Sequence, residues 1–405
     1  YIHLTLIMKL ILSTLLTASL FSASSADLCK GSCSADGTQC SFTVKVNFFE
    51  GEWGYFTFEE CGDAPNPTLG LELGVTYTFD QTEISNYMHP LGFSYFADGA
   101  HDDQDELEPG IAPPGSDSSC DESASCAAPM YEVAGEYVGE YSNNAKIANI
   151  TTGNENFGLD DYEPLFFFPI LEWKGMGPYQ VTLKLTDDDI NSDIFYFCHI
   201  HQYMTGRIKV LKDGEKINAM DTPAIPYDYH QISDFDASCG TYNLDGVFPH
   251  EMCPEQFVCN IPDDNAELMA FGQCIESMNC AMVRGMTNNV ESGSEVALFL
   301  HQMIPHHQNA VNMAKALLKT GKVECDDIED EDNNHCVLEA ILRDIINNQN
   351  FQIQQMQAIL DGEGYPETDQ CVLEKTPLNG PTSGASTFAL SSITSVVVAF
   401  AAFFL

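Results

Sequence analysis

Basic residues are scarce in this chain of 405 residues: Lys and Arg number 16 against 60 Asp and Glu, so the formal net charge is −44 at pH 7. So few cations cannot neutralise a run of phosphates, which argues against a nucleic-acid partner and against docking on anionic lipid. Motifs of common enzyme classes are also missing, since the chain has no Gly-x-Ser-x-Gly, no Walker loop and no dinucleotide fingerprint. We therefore predict no catalytic residue and favour metal binding or electron transfer over turnover.

Apolar residues and cysteines, in contrast, are plentiful. Hydrophobic residues make up 44% of the chain and charged residues only 19%, which is typical of a folded chain rather than of an acidic disordered one. Fifteen cysteines indicate an oxidising compartment. Setting one cysteine aside for chemistry leaves an even number, enough for seven disulfides, and Cys120 and Cys126 are a plausible local pair.

The two ends of the chain have the patterns of export and anchoring. Residues 8–26 combine Met and Lys with a short apolar run and a small–x–small end, so we predict a signal peptide and secretion. Small residues in the linker 365–386 precede the apolar tail 387–405, which no basic flank follows. This favours a glycosylphosphatidylinositol anchor over a transmembrane tail. Either would hold the protein at the outer face of the plasma membrane, and the sequon at Asn149 is compatible with that route.

Between the ends, the hydrophobic period changes from β-like to helical. The segments SFTVKVNFF, TYTFD, YQVTLKL, IFYFC and RIKVL predict strands of a β-sandwich. Helices are predicted from Ser294 to Thr320, from about His335 to Asp361 and, shorter, around 265–284. The fold class is therefore multidomain β plus α, with an antiparallel helical hairpin or bundle at the C-terminus. The predicted divisions are a Cys-rich leader at 27–40, a β domain at 41–212 with an insertion at about 98–165, a Cys/Pro-rich linker at 213–264 and a helical domain at 265–364.

The strongest candidate site lies in FCHIHQYMTGRIKV, between two predicted strands. Cys198, His201 and Met204 have the spacing Cys-x2-His-x2-Met, and such a loop can aim a thiolate, an imidazole and a thioether at one point. Two imidazoles, one thiolate and a weak axial Met are the ligands of a blue-copper centre. His89, after TYTFD, is the first candidate for the second imidazole, and His101 is the reserve. The alternative for Cys198 is one half of a disulfide.

This loop, followed by Gly206 and a β-strand, resembles the copper loop of the plastocyanin and amicyanin-type cupredoxins. The resemblance implies a Greek-key sandwich with a type-1 copper held by His89, Cys198, His201 and Met204. His199 is expected to be exposed or to lie behind the ligands. Multicopper oxidases resemble the same fold but need several His-x-His pairs, and this chain has one, so we do not expect oxygen reduction.

A second candidate site lies in LFLHQMIPHHQNAVNMAKALLK. On a helix, steps of three and four residues place Met303, His306, His307, Ala310 and Met313 on one stripe, and Met356 lies on the next predicted helix. Thioethers with imidazoles suit Cu(I), or copper that cycles between two states. The alternative is a methionine-filled core with hydrogen-bonded histidines.

The segments MIPHHQNAVNMA and IINNQNFQIQQMQAIL look like the bacterial family known as domain of unknown function 305, over roughly residues 276–361. Its hallmark is a Met-Ile-x-His-His-Gln-x-Ala-x-x-Met-Ala helix paired with a helix rich in Gln and Met. Some members are implicated in copper binding and resistance, which implies copper for Met303, His306, His307, Met313 and Met356. His301, one turn before the motif, either joins that site or merely caps it.

Both resemblances point to copper. We therefore predict an extracellular, cell-surface copper-binding protein that captures copper and cycles it between Cu(II) and Cu(I), with a redox or copper-transport partner at the cell surface. One alternative is a blue-copper electron carrier whose helical domain serves only docking or assembly. Another is a redox enzyme acting on copper or iron, which would need an open substrate position.

Overall fold

The computed structural model describes residues 28–371, except for 103, 109–110, 115–127, 140–157, 187–189, 230–231, 245–252, 254–256, 263 and 291. The predicted signal peptide, the apolar tail, the sequon at Asn149 and the pair Cys120 and Cys126 lie outside the described residues. Within the described residues, no helix combines the length and the apolar character that crossing a membrane requires.

The N-terminal part is a β-sandwich of two sheets. The strands are β1 Ser32–Cys33, β2 Gln39–Asn47, β3 Tyr55–Phe58, β4 Leu69–Glu72, β5 Thr76–Asp80, β6 Leu91–Ser94, β7 Met130–Val133, β8 Glu136–Tyr137, β9 Tyr179–Lys184, β10 Ile194–Cys198, β11 Gly206–Lys212 and β12 Glu215–Lys216. In one sheet the strand order is β1-β2-β5-β9-β7-β8, with β3 also paired to β2. In the other sheet the order is β12-β11-β10-β6, with β4 paired to β11.

The strand β2 shows why these segments are extended. Its residues alternate between the core and the outside, with Phe42 and Val44 fully buried, because successive side chains of a strand point to opposite faces. The five strands predicted from the sequence are confirmed as β2, β5, β9, β10 and β11. The segment predicted as an insertion also supplies strands, since β7 pairs with β9 and β8 pairs with β7.

The C-terminal part is helical, so the β plus α class is confirmed. Each long helix begins after a residue whose side chain caps it: Asn265, Ser294 and Asn333 accept hydrogen bonds from backbone N–H groups of the first turn. The helices are α1 Leu159–Tyr162, α2 Ile170–Met176, α3 Asp234–Cys239, α4 Ala266–Gly285, α5 Glu295–Lys319 and α6 Asn334–Gly362. The last three coincide with the predicted helices to within one or two residues.

The long helices and the sandwich share one hydrophobic core. Val311 of α5 and Leu342, Ile346 and Ile353 of α6 belong to the same buried cluster as the aromatic residues of the sheets. The fully buried Lys315 adds a polar tie, since its Nζ donates to the backbone carbonyls of Gly51 and Glu52 at 3.4 and 2.7 Å. The faces of α5 and α6 that carry these residues therefore lie against the sandwich.

Five disulfides connect the described residues. They are Cys29–Cys61, Cys33–Cys40, Cys239–Cys274, Cys253–Cys280 and Cys325–Cys336. Within the described residues, Cys198, Cys259 and Cys371 are unpaired. The expectation that every cysteine except Cys198 could be paired is therefore wrong for Cys259 and Cys371. An even count cannot decide pairing, because a disulfide needs two Cβ atoms about 4 Å apart.

Candidate metal centre

His89, Cys198 and His201 come together at one end of the sandwich. Nδ1 of His89 lies 3.6 Å from Sγ of Cys198, and Nδ1 of His201 lies 3.8 Å from the same sulfur. All three side chains are fully buried. A metal ion at the usual bond lengths from sulfur and nitrogen separates these donors by about 3.5 Å. Within the part of the chain that the structure describes, this is the one group of three or more His, Cys, Asp or Glu side chains that could hold a metal ion.

Pairing between two strands brings the donors together. Cys198 is the last residue of β10, which pairs antiparallel with β6 and places Cys198 opposite Leu91. His89 lies two residues before Leu91, and the backbone N–H of His199 donates to the carbonyl of Pro90 at 3.0 Å. His201 lies in the loop from β10 to β11. One strand pair therefore positions both the upstream histidine and the thiol.

Gln81, just after β5, fixes the backbone on either side of His89. Its buried Nε2 donates to the carbonyl of His89 at 2.7 Å, and its Oε1 accepts from the N–H of Leu91 at 3.0 Å. Met88 has a φ of 60°, a conformation that non-glycine residues rarely adopt and that occurs where the surroundings enforce it. The sequence gives no sign of Gln81, because this role depends on tertiary contact alone.

The loop after Cys198 is held by Asp98 and by close packing. The carboxylate of Asp98 accepts from the N–H of Tyr203 at 3.2 Å and from the hydroxyl of Thr205 at 2.9 Å. A Cβ at Gly206 would lie 2.0 Å from the Tyr196 ring, so only glycine fits where the loop enters β11. The contacts of Asp98 and the close packing at Gly206 thus fix the loop conformation.

The other candidates from the sequence occupy distinct places around this group. Met204, the predicted axial ligand, is fully buried in the same core cluster as Cys198. His101, the reserve ligand, lies outside the group, and its Nε2 hydrogen-bonds to the backbone carbonyl of Cys198 at 2.9 Å. His199 contacts two carboxylates instead: its Nδ1 pairs with Glu163, and its Nε2 lies 3.5 Å from Glu106.

Burial keeps the three donors uncharged. It lowers the pKa of His201 to about 4 and, together with the neighbouring His201, holds the pKa of His89 well below its ordinary value. Burial also raises the pKa of the Cys198 thiol to about 12, although the N–H of His201 donates to its sulfur at 3.3 Å. The imidazoles therefore present free lone pairs, and a metal ion must displace one proton from the thiol.

Comparison with known families identifies the helical part. Residues 274–360 match the model of the family described as domain of unknown function (DUF305). The helical part contains a DUF305 domain. The domain predicted at roughly 276–361 is therefore confirmed. No match was found among curated proteins or among solved structures. No cupredoxin model matches the N-terminal part, so its likeness to that family consists of the β-sandwich and the His/Cys/His group.

The DUF305 domain reaches the candidate metal centre through Asn347 of α6. The side chain of Asn347 is buried, and its Oδ1 lies 3.2 Å from Nε2 of His89. The backbone carbonyl of Asn347 lies 3.2 Å from Nε2 of His201. Nδ2 of Asn347 donates to the carbonyl of Tyr87 at 2.9 Å, which fixes the orientation of the amide. Because both histidine partners are oxygen atoms, each Nε2 carries the proton, and each Nδ1 is an unprotonated acceptor that faces the Cys198 sulfur.

The five candidate ligands of the DUF305 domain have differing surroundings. His306 is exposed and its ring centroid lies 5.9 Å from that of His307, whose buried Nδ1 has no hydrogen-bond partner among the described residues. Met313 is 39% exposed, and its Sδ lies 3.7 Å from Nδ2 of Asn309. Met303 is partly buried, and the partly buried Met356 packs against the core shared with the sandwich. His301 is buried, with its Nε2 bonded to the carbonyl of Pro366 at 2.8 Å.

Proposed function

We propose that this protein is an extracellular copper-binding protein whose sandwich holds one redox-active copper ion. His89, Cys198 and His201 would be its equatorial ligands and Met204 its weak axial ligand. The observation that supports this best is that Nδ1 of His89 and Nδ1 of His201 lie 3.6 and 3.8 Å from the sulfur of Cys198, and that all three side chains are fully buried. Two imidazoles and a thiolate with a weak thioether form the donor set of copper electron-transfer sites. Copper in this site would supply one-electron chemistry.

Copper capture and homeostasis at the cell surface is the role that we propose for this site. The five disulfides are typical of an oxidising compartment. A net charge of −44 concentrates cations near the surface, within a screening length of about 8 Å at physiological salt. The DUF305 domain would hold or hand on the reduced ion through Met303, His306, His307, Met313 and Met356.

A plain electron carrier is the second candidate, and the burial of the centre favours it. A capture site must exchange its ion, whereas His89, Cys198 and His201 are fully buried and α6 packs over the two imidazoles. In this case the DUF305 domain would serve docking or assembly and would bind no copper of its own.

The copper proposal is tested by the optical spectrum of the secreted protein loaded with Cu(II). We expect an intense visible thiolate-to-copper band that Cys198→Ser abolishes, because the thiolate is the electron donor of that transition. Cys259→Ser is the matched control, since Cys259 is also a free thiol but is exposed. A wild-type protein that takes up copper without this band, or a band that survives in Cys198→Ser, would contradict the proposal.

The number of copper ions per chain separates the two roles. Capture predicts more than one copper per chain, and we expect the double variant His306→Ala/His307→Ala to lose the additional ion and keep the visible band. The carrier role predicts one copper in both proteins. Metal analysis of both proteins, after removal of loosely held ions, decides between them.

A further inference from the structure

We propose that Asn347 of α6 is a positioning residue for the metal centre, which makes the DUF305 domain a working part of the copper site in the sandwich. This inference rests on the proposed copper function and deepens it. Through one side-chain oxygen and one backbone oxygen, Asn347 holds both imidazoles with Nε2 protonated and Nδ1 directed towards the thiol. The centre is then completed by two parts of the chain that are distant in sequence.

Both side-chain groups of Asn347 and its backbone carbonyl are directed at the site. Its Oδ1 contacts His89, its backbone oxygen contacts His201, and its Nδ2 donates to the carbonyl of Tyr87, two residues before His89. The two imidazole rings that it joins have centroids 4.6 Å apart. The backbone carbonyl would be present in any residue, but a residue that merely filled space between the two parts of the chain would not need a side-chain acceptor for His89.

The face of α6 that carries Asn347 is fixed against the sandwich over three helical turns. Asp344, Asn347, Phe351 and Gln354 follow steps of three and four residues, so they lie on one face. Asp344 accepts from the hydroxyl of Tyr87 at 3.4 Å, and Gln354 accepts from the N–H of Gln202 at 3.2 Å. The Phe351 ring packs on Phe167 with centroids 5.5 Å apart. Asn347 therefore lies in the middle of an anchored stripe.

An acceptor on the distal nitrogen changes the donor strength of a histidine. A carbonyl that accepts from Nε2–H fixes the tautomer and the ring orientation and raises the basicity of the ligating nitrogen. A stronger donor stabilises Cu(II) relative to Cu(I), so removing the acceptor should raise the reduction potential. Replacing the amide by a carboxylate should make His89 a stronger donor and lower the potential.

Three variants test this inference on the full secreted protein. Asn347→Leu removes the acceptor for His89 and keeps the backbone acceptor for His201, whereas Asn347→Asp keeps an oxygen and adds charge. Asn348→Leu is the matched control, because Asn348 is the next residue of the helix and its side chain donates to Asp344 at 2.6 Å, which is not one of the three candidate ligands. We expect Asn347→Leu to bind Cu(II) about 10- to 100-fold more weakly and to have a raised potential. Asn347→Asp should have a lowered potential, and Asn348→Leu should match the wild type.

Shifts of the reduction potential in opposite directions in Asn347→Leu and Asn347→Asp distinguish a positioning role from structural damage. If Asn347 only packs the two parts together, both of its variants shift the potential in one direction, or neither differs from Asn348→Leu, and the inference is overturned. If Asn347→Leu does not fold, the Asp variant still decides, because an unchanged or raised potential in that protein overturns the inference.

Imidazole nitrogen NMR on the metal-free protein separates this inference from the copper proposal. We expect two Nε2–H protons that exchange slowly with solvent in the wild type, and in Asn347→Leu a faster exchange of the His89 proton alone. Equal exchange in the two proteins would overturn the role of Asn347, whatever the metal. Absence of copper binding with the expected exchange pattern would overturn the copper proposal and leave the positioning role intact.

Discussion

The thiol and the two imidazoles of the centre face one another without an ionised group among them. In an apolar pocket the charged form of each donor is the costly one, so burial favours a protonated Cys198 and neutral His89 and His201. The nearby His199, in contrast, is positively charged. Burial lowers its pKa, but Glu106 and Glu163 outweigh burial and raise the pKa to about 10. The metal-free site is thus a neutral group beside an ion pair.

Glu52 gives the fold a dependence on pH that can be measured. Burial raises its pKa to about 7, although Lys315 opposes the shift. The folded form then keeps a proton that the unfolded chain loses above pH 4.5, so the contribution of Glu52 to the free energy of unfolding falls as the pH rises from 4.5 to 7. We expect Glu52→Gln to remove this fall, which is on the order of 1 to 3 kcal/mol. Urea unfolding between pH 5 and 8 measures the effect.

The exposed Glu59 provides the control for that measurement. Its carboxylate pairs with Lys45 at 3.1 Å and is 64% exposed, so Glu59→Gln should leave the pH dependence of stability as it is in the wild type. Identical pH dependence in wild type and Glu52→Gln would show that Glu52 does not keep its proton in the folded protein.

Among the strands and helices, hydrophobic periodicity in the sequence best predicted those that bury only one face. The alternation in β2 and the capped, amphipathic runs of α5 and α6 are such cases. The strands β3 and β6 were not predicted, because YFTF and LGFS are only four residues long and show no alternation. The strand β10 is also buried on both faces, but its Ile, Phe and Tyr residues predicted it. The strands β7 and β8 were missed because they lie within a stretch of polar and acidic loop residues.

The local part of the metal centre could also be predicted, and the distant part could not. Cys198 and His201 share one loop, so their spacing in sequence reports their spacing in space. Asn347 lies 146 residues from His201 and contacts it through a backbone carbonyl. A backbone atom leaves no signature in the sequence. The run of Asn and Gln in α6 was the one available hint that this helix has polar partners.

The buried face of α6 provides a test of the shared core. Ile346 is fully buried in it, whereas Ile341 on the same helix is 51% exposed. We expect Ile346→Ala to lower the free energy of unfolding by about 2 to 5 kcal/mol, because it leaves a cavity. Ile341→Ala should change it by less than about 0.5 kcal/mol. Chemical denaturation of both variants gives these values.

Two spectroscopic probes show whether Ile346→Ala destabilises both parts of the chain. The two tryptophans, Trp53 and Trp173, lie in the sandwich part and are buried, so fluorescence follows that part, while circular dichroism follows the helices. A shared core predicts coincident transitions that shift together in Ile346→Ala. A helical transition that moves alone would show that the two parts unfold separately.

Across the whole molecule, basic residues are even scarcer at the surface than in the sequence, because some of them are buried. Of the 16 Lys and Arg residues, Arg207, Lys209 and Lys315 are buried, and the first two pair with Asp193 at 2.6 and 2.7 Å. Few cations remain to offset the surface carboxylates, whose mutual repulsion opposes the compact state. The five disulfides counteract it by restricting the unfolded chain.

The cover that α6 places over the imidazoles also governs the residence time of a bound ion. Since all three donors are buried and α6 covers the two imidazoles, we expect a bound ion to leave when α6 transiently lifts, and such local openings have their own free energy. An excess of chelator should therefore strip copper at a rate that reaches a plateau instead of rising with chelator concentration. The plateau is the opening rate, and Ile346→Ala should raise it. The lifetime of a bound ion would then be set by the packing of a helix.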